Sequence, residues 1–398
     1  MKNLILCILF LCLILINNAF SRVRVGVMDM PIFYRGNFLE HHVVVNKFEI
    51  PNNGIDDDQN GFVDDHVGYN PIENVGQQLP ELPDLSQNKN FVFYLKLKYS
   101  AFEAITMVSY FDLAAKSQAF LDTIDKEEKK SIQKFENLSH GNHVAGIALK
   151  NTQAALYPIS FESEKFNSTI TELSEEKQIE MAMNTKFREI DLDPRLLPLL
   201  DKKLKETRQR LNRVESYLRE KKIQILNMSF GGDFMSTFVG LSLSVGFQLE
   251  GFLDEKNASI QIGKMAALLL EGNRELYQEM IERSYETLFV IAAGNDSKDI
   301  ELSMEDLPKV QAPNAIIVGA VNDYGEMAFF SNYGHQVDIF APGVNIESLA
   351  CDGSLMSMSG TSMATPYVTN MAITALEREP YLLPEELKPV VIDLMEQR

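Results

Sequence analysis

Short apolar runs, each bounded by turn-forming or charged residues, limit this chain more than any other feature. Val23, Val25 and Val27 alternate with other residues and lead to Asp29; Ala154–Ile159, Ile223–Met228, Leu288–Ala292 and Ala315–Val321 follow at intervals. Runs of this length suit strands, and the stretches of helical spacing between them suit crossovers. The pattern predicts the α/β class: a doubly wound, mostly parallel sheet with helices on both faces. In such sheets ligands sit outside the carboxyl ends of the strands, so that is where chemistry is expected.

From Leu200 to Leu218 apolar side chains recur at spacings of four and three, through Leu204, Leu211 and Val214 with Thr207 between, amid many charges. The spacing predicts an amphipathic helix packed on its own core, and the run is too short to favour a coiled coil. Asp193-Pro194 marks a break before it.

At the start, Lys2 precedes the apolar run Leu4–Ile16, and Ala19 and Ser21 offer small side chains for cleavage before Arg22. The run is shorter than the roughly 20 residues that cross a bilayer. Residues 1–21 are therefore expected to be a signal peptide, and the chain to be secreted or periplasmic with no stable membrane span once cleaved. Cys7 and Cys12 lie in that segment, so removal leaves Cys351 alone and no intramolecular disulfide. With 37 Lys+Arg against 56 Asp+Glu, the formal charge of -19 excludes nucleic acid as a natural partner.

Two blocks carry chemistry. Gly360-Thr361-Ser362-Met363-Ala364-Thr365-Pro366 runs into a helical pattern over Tyr367–Glu377. Unpaired N–H groups and the helix dipole at such a start favour negative charge beside a serine hydroxyl, although a serine N-cap is the commoner use. Ser139-His140-Gly141-Asn142-His143-Val144-Ala145-Gly146 sets a histidine ahead of a small, apolar segment that could itself begin a helix. Imidazole can take a hydroxyl proton near neutral pH. His140 and His143 could instead hold a metal, but the glutamate of the HExxH pattern is absent.

The two blocks resemble those of the subtilisin-family (subtilase) serine proteases, which read GTSMA and HGTHVAG. Here they are GTSMATP and HGNHVAG, with Asn142 in place of threonine. The family's order along the chain is Asp, His, Ser, and Asp29 at the end of the first strand fits the first place. The resemblance implies a subtilisin-like fold in which Ser362 is the nucleophile, His140 its general base and later acid, and Asp29 the carboxylate that orients the imidazole. Leu288–Asn295 resembles the strand ending in the family's oxyanion-hole asparagine, which implies that role for Asn295 with the Ser362 N–H. Ile225–Gly232 resembles the segment whose edge pairs with the substrate backbone, implying substrate binding at Ser229, Phe230 and Gly231, with Phe230 where leucine is usual. The implied partners are polypeptide substrates, and the chemistry requires no cofactor.

Ile50–Asp65 is similar to an acidic loop of many bacterial subtilases. Asp56, Asp58 and Asn60 followed by Gly61 copy the first half of an EF-hand loop, but Val67 stands where the closing glutamate belongs. The loop could hold a structural Ca²⁺ through Asp56, Asp58 and Asn60, closed by Asp64 or Asp65; a solvated acidic turn accounts for the same residues.

The resemblance covers roughly residues 22–70, 138–160, 221–232 and 287 to the end. Residues 22–398 are expected to form one peptidase domain with insertions or extended helical connections near 71–137, 161–220 and 233–286, the last overhanging the non-primed side of the cleft. Two departures bear on activity. Met30-Pro31 follows Asp29 where a hydroxyl residue and glycine are usual, and the short stretch from Arg22 to Asp29 has no room for a propeptide. A catalytically impaired binding protein on the same fold is therefore the alternative to a secreted serine endopeptidase.

Overall fold

In the computed structural model the chain is described at residues 22–83, 85, 88–94, 115–117, 119–161, 191–231, 237–238, 240–242, 255–302 and 307–397. The leader 1–21 and most of 232–254, the first part of the 233–286 stretch expected to overhang the cleft, lie outside the described residues; most of the rest is a helix that packs on the sheet.

The apolar runs form β1 (Arg24–Asp29), β2 (Ala155–Ser160), β3 (Ile225–Met228), β4 (Leu288–Ala292) and β5 (Ala315–Val321), joined by β6 (Ile339–Pro342). They pair in the order β2-β1-β3-β4-β5-β6, and every neighbouring pair is parallel. β7 (Ile346–Leu349) and β8 (Leu355–Met358) form a separate antiparallel pair. No continuous apolar run marks β6, β7 or β8 in the sequence, because they are four residues each and only partly buried.

Alternation along the strands shows why helices must cover both faces. In β4, Leu288 and Val290 enter one core with Val25, Val27, Val144, Ala148, Val368 and Ala372. Phe289 and Ile291 enter the other with Leu211, Val214, Tyr277 and Met280. The first core is closed by α1 (Lys126–Leu149), α4 (Thr361–Arg378) and α5 (Pro384–Glu396), the second by α2 (Leu197–Lys221) and α3 (Glu255–Arg283).

α2 buries Leu200, Thr207, Leu211, Val214, Tyr217 and Leu218 as its spacing requires, and Asp193 accepts a hydrogen bond from the Arg195 N–H at the break before it. α2 and α3 pack on each other. α1 differs from expectation: it starts at Lys126, well before His140. Asp125 caps it by accepting from the Glu127 and Glu128 amides, and Ile132, Phe135 and Leu138 give the earlier turns a buried side. Its second half is nearly all buried and built of small residues, so it lies close to the sheet. No helix among the described residues is long and apolar enough to cross a membrane.

Asn314 fastens the end of α3 to the sheet. Its buried amide Nδ2 donates to the carbonyls of Ile281, Ser284 and Thr287 at 2.9, 3.1 and 3.0 Å; the first two also accept from the Ser284 and Thr287 N–H groups. Asn314→Ala takes this donor from the Thr287 carbonyl and the second donor from the other two in a dry site, and urea unfolding is expected to show a loss of about 1–3 kcal/mol. A loss below about 0.5 kcal/mol would contradict this account of the α3 end.

Candidate active site

The chain leaves β1 for β2 on one side and returns to β3 on the other, so a crevice opens beyond the carboxyl ends of β1 and β3. Asp29 is the last residue of β1, Ser229 follows β3, and Ala293-Gly294-Asn295 follow β4.

α1 crosses this end of β1 so closely that Gly141 has no room for a side chain: a Cβ there would lie 2.3 Å from the Met30 carbonyl oxygen. The approach brings His140 Nδ1 to 2.7 Å from Asp29 Oδ1. Asp29 is 4% exposed, and the same Oδ1 accepts from the Met30 N–H at 2.7 Å. Its Oδ2 is buried without a hydrogen-bond partner. An ionised carboxylate only accepts, so the ring donates from Nδ1 and keeps a lone pair on Nε2. His143, three residues on, is turned elsewhere: its Nε2 pairs with the Met356 carbonyl at 3.0 Å. The two histidines therefore do not form a metal-binding pair.

Ser362 is the second residue of α4, which starts from Gly360 without a side-chain cap. Pro366 has no N–H, so it cannot take the Ser362 carbonyl in the usual helical bond. The Ser229 hydroxyl donates to that carbonyl instead at 3.1 Å, and the Ser362 hydroxyl donates back to the Ser229 carbonyl at 3.0 Å. Behind them, Thr369 Oγ1 donates to Asn227 Oδ1 and Asn227 Nδ2 to Ser229 Oγ, both at 2.9 Å. This buried chain locks the start of α4 to the end of β3.

Asn295 is tied to the same helix start. Its Oδ1 accepts from the Thr361 N–H at 2.8 Å and from Thr361 Oγ1 at 3.0 Å, leaving the NH₂ group to donate elsewhere. Ser229, Phe230, Gly231, Asn295, Thr361 and Ser362 line one cavity of about 190 Å³, with Asp296 and Pro308. Phe230 stacks on Phe161 with ring centres 5.0 Å apart. At Gly231 a Cβ would meet none of the described residues within 4 Å.

The acidic loop uses its carboxylates unevenly. Asp56 accepts from the Asn60 and Gly61 amides, and Asp64 from the Asn53 and Gly54 amides. Asp58 instead stands beside Glu49 and Asp65, with one oxygen of each within 4.8 Å of the others. Asn46 and Asn60 each donate to both Asp58 and Asp65. Lys221 of α2 lies 2.6 Å from Asp65 Oδ2. Glu49 is 3% exposed and its Oε2 has no hydrogen-bond partner; burial pushes its pKa up. Three carboxylates facing one ammonium are hard oxygen donors with negative charge to spare, which fits Ca²⁺. Of the ligands expected from the sequence, Asp58 and Asp65 are in this cluster, whereas Asp56 and Asp64 are committed to backbone amides, and Asn60 turns its NH₂ to the carboxylates while its Oδ1 accepts from the Phe62 N–H. Lys221 carried no local signal, because only the fold brings it to the loop; Glu49 directly precedes Ile50 but lies outside the EF-hand-like spacing that starts at Asp56.

These features define a doubly wound α/β protein with a polar cleft at the switch point of its sheet. The chain belongs to the subtilase family, whose profile matches residues 21–396. It is similar to alkaline protease 1 of Aspergillus flavus, 32% identical over 169 residues, which are 40% of this chain and 41% of that protein. It is also similar to the subtilisin-like proteinase Mp1 of Magnaporthiopsis poae, 41% identical over 107 residues, 26% of each chain. The match thus spans about two fifths or less of these relatives' own length. A crystal structure of a cold adapted subtilisin-like serine proteinase aligns with a TM-score of 0.46 at 17% identity, covering 94% of this chain and 82% of the other.

Burial pushes the His143 pKa down from 6.5 to about 4, with His140 nearby adding to the shift. The folded value lies below the unfolded one, so this contribution to stability is complete above pH 6.5 and is lost as pH falls toward 4. The loss amounts to about 3 kcal/mol at most. Urea unfolding of wild type and His143→Gln at pH 7 and pH 4 checks it: the acid loss is expected to be smaller in the variant, and equal losses would contradict the assignment.

Proposed function

We propose that this subtilase is a secreted serine endopeptidase working through Asp29, His140 and Ser362. The observation that carries the reading is the Asp29 Oδ1–His140 Nδ1 contact of 2.7 Å on the same strand-end rim as a serine at a helix start.

An extended polypeptide lies along Ser229-Phe230-Gly231 and pairs with that backbone as an added strand. One side chain of that peptide enters the cavity beside Phe230. The Ser362 hydroxyl turns from the Ser229 carbonyl to His140 Nε2, which takes its proton as Oγ bonds to the peptide carbonyl carbon. Charge then moves onto the carbonyl oxygen, where the Asn295 NH₂ and the Ser362 N–H receive it. Asp29 stabilises the imidazolium without taking its proton. His140 passes that proton to the leaving amine as the C–N bond breaks, leaving an acyl-enzyme at Ser362. Water, deprotonated by the same imidazole, attacks the ester and releases Ser362. Residues 22–398 act as one domain in this reading, and Leu4–Ile16 belongs to the leader that exports it.

A fluorophosphonate separates this from a binding protein that has lost catalysis. Wild type is expected to be labelled at Ser362 and Ser362→Ala not at all, and Asn295→Ala to lower kcat about 100-fold to 1000-fold. An unlabelled, inactive wild type would favour the binding protein.

We further propose that Glu49, Asp58 and Asp65 hold a structural Ca²⁺ outside the chemistry. Ca²⁺ at a hundred times its Kd is expected to add about 3 kcal/mol to the unfolding free energy, and Glu49→Gln to abolish the gain. Equal thermal midpoints with Ca²⁺ and with chelator would overturn the site.

A further inference from the structure

Asp29 is steered from one side. Its Oδ1 serves both the Met30 N–H and His140 Nδ1, while Oδ2 is buried with no partner. The carboxylate therefore stays where the backbone of the following loop puts it. That loop has little hold of its own: Met30 has no hydroxyl, and Pro31 has no N–H.

The hold comes from two side-chain amides. Gln77 accepts from the Ile32 N–H at 3.0 Å and donates to the Ile32 carbonyl at 3.3 Å. Asn142 accepts from the Phe33 N–H at 2.8 Å and donates to the Phe33 carbonyl at 2.7 Å. Asn37 Nδ2 fills the other lone pair of that carbonyl at 2.8 Å. Each of two successive residues is thus gripped at both its donor and its acceptor by one primary amide, a pairing that copies a backbone partner.

Asn142 is fully buried and stands on α1 two residues after His140, with Gly141 between them pressed against Met30. The helix that presents the imidazole therefore also holds the loop that presents the carboxylate. A shift of one carries the other with it.

We infer that Asn142 and Gln77 are positioning residues for the Asp29–His140 pair. The inference rests on the peptidase reading above for its kinetic consequence, and on the geometry alone for its structural one. Threonine at position 142, the residue of the family pattern, is too short to grip both groups of Phe33, so Asn142 belongs together with the Met30-Pro31 loop.

The test compares wild type, Asn142→Ala and Gln77→Ala, each also in an Asp29→Ala background, with folding checked by circular dichroism. Two readouts are followed: kcat and KM on a peptide substrate, and the downfield proton resonance of His140 Nδ1–H, assigned by its loss in His140→Gln. Asn142→Ala is expected to lower kcat about 10-fold to 100-fold with KM within about twofold, and to move or broaden the resonance. In the Asp29→Ala background the same change is expected to cost less than about twofold, because the group it positions is gone. Gln77→Ala, on a partly exposed segment, is expected to act in the same direction more weakly, and it carries the test should Asn142→Ala fail to fold. An unchanged kcat with an unmoved resonance in folded variants, or an equal loss in both backgrounds, would overturn the inference. A wild type without turnover or labelling would defeat the peptidase reading instead, and the resonance would still decide whether the amides hold the pair.

Discussion

A parallel sheet that winds first to one side of β1 and then to the other leaves that strand's carboxyl end uncovered by either crossover. The rest of the site depends on this. Strand ends from β1, β3 and β4 deliver Asp29, Ser229 and Asn295 to one rim, and the two helices that deliver His140 and Ser362 pack on each other over the same face. Side chains far apart in sequence need no loop of their own to meet.

Local chemistry then sets the distances. Glycine at 141 lets α1 close on the Met30 carbonyl, and the proline at 366 frees the Ser362 carbonyl for the Ser229 hydroxyl. Both are cases of a missing group, a Cβ in one and an N–H in the other, that permits a contact. The buried run from Thr369 through Asn227 to Ser229 is satisfied at each step. Such a network rigidifies the rim because breaking any member leaves a polar group unpaired in a dry site.

Much of this was legible in the residues. The strands β1 to β5 could be read because each buries both faces, and α2 because its buried side chains keep a helical period. Asp29, His140, Asn295 and Ser362 stood out because each sits in a recognisable block at a strand end or beside glycine. β6 to β8 and the early start of α1 were not legible, since their signal is half-buried or hidden in a charge-rich stretch. Lys221 and Gln77 were out of reach for a different reason: their partners lie 156 and 45 residues away, and nothing local distinguishes them. The acidic loop shows the limit of spacing arguments, because Asp56 and Asp64 fit a ligand pattern and are taken by backbone amides.

In the proposed reaction the imidazole held by Asp29 activates the hydroxyl at the start of α4. Rapid mixing with an activated p-nitrophenyl ester tests it most directly. A burst of nitrophenol equal to the enzyme present is expected, with the acyl group found on the peptide containing Ser362 and both lost in His140→Ala. A labelled residue elsewhere, or a burst that survives removal of the imidazole, would contradict it.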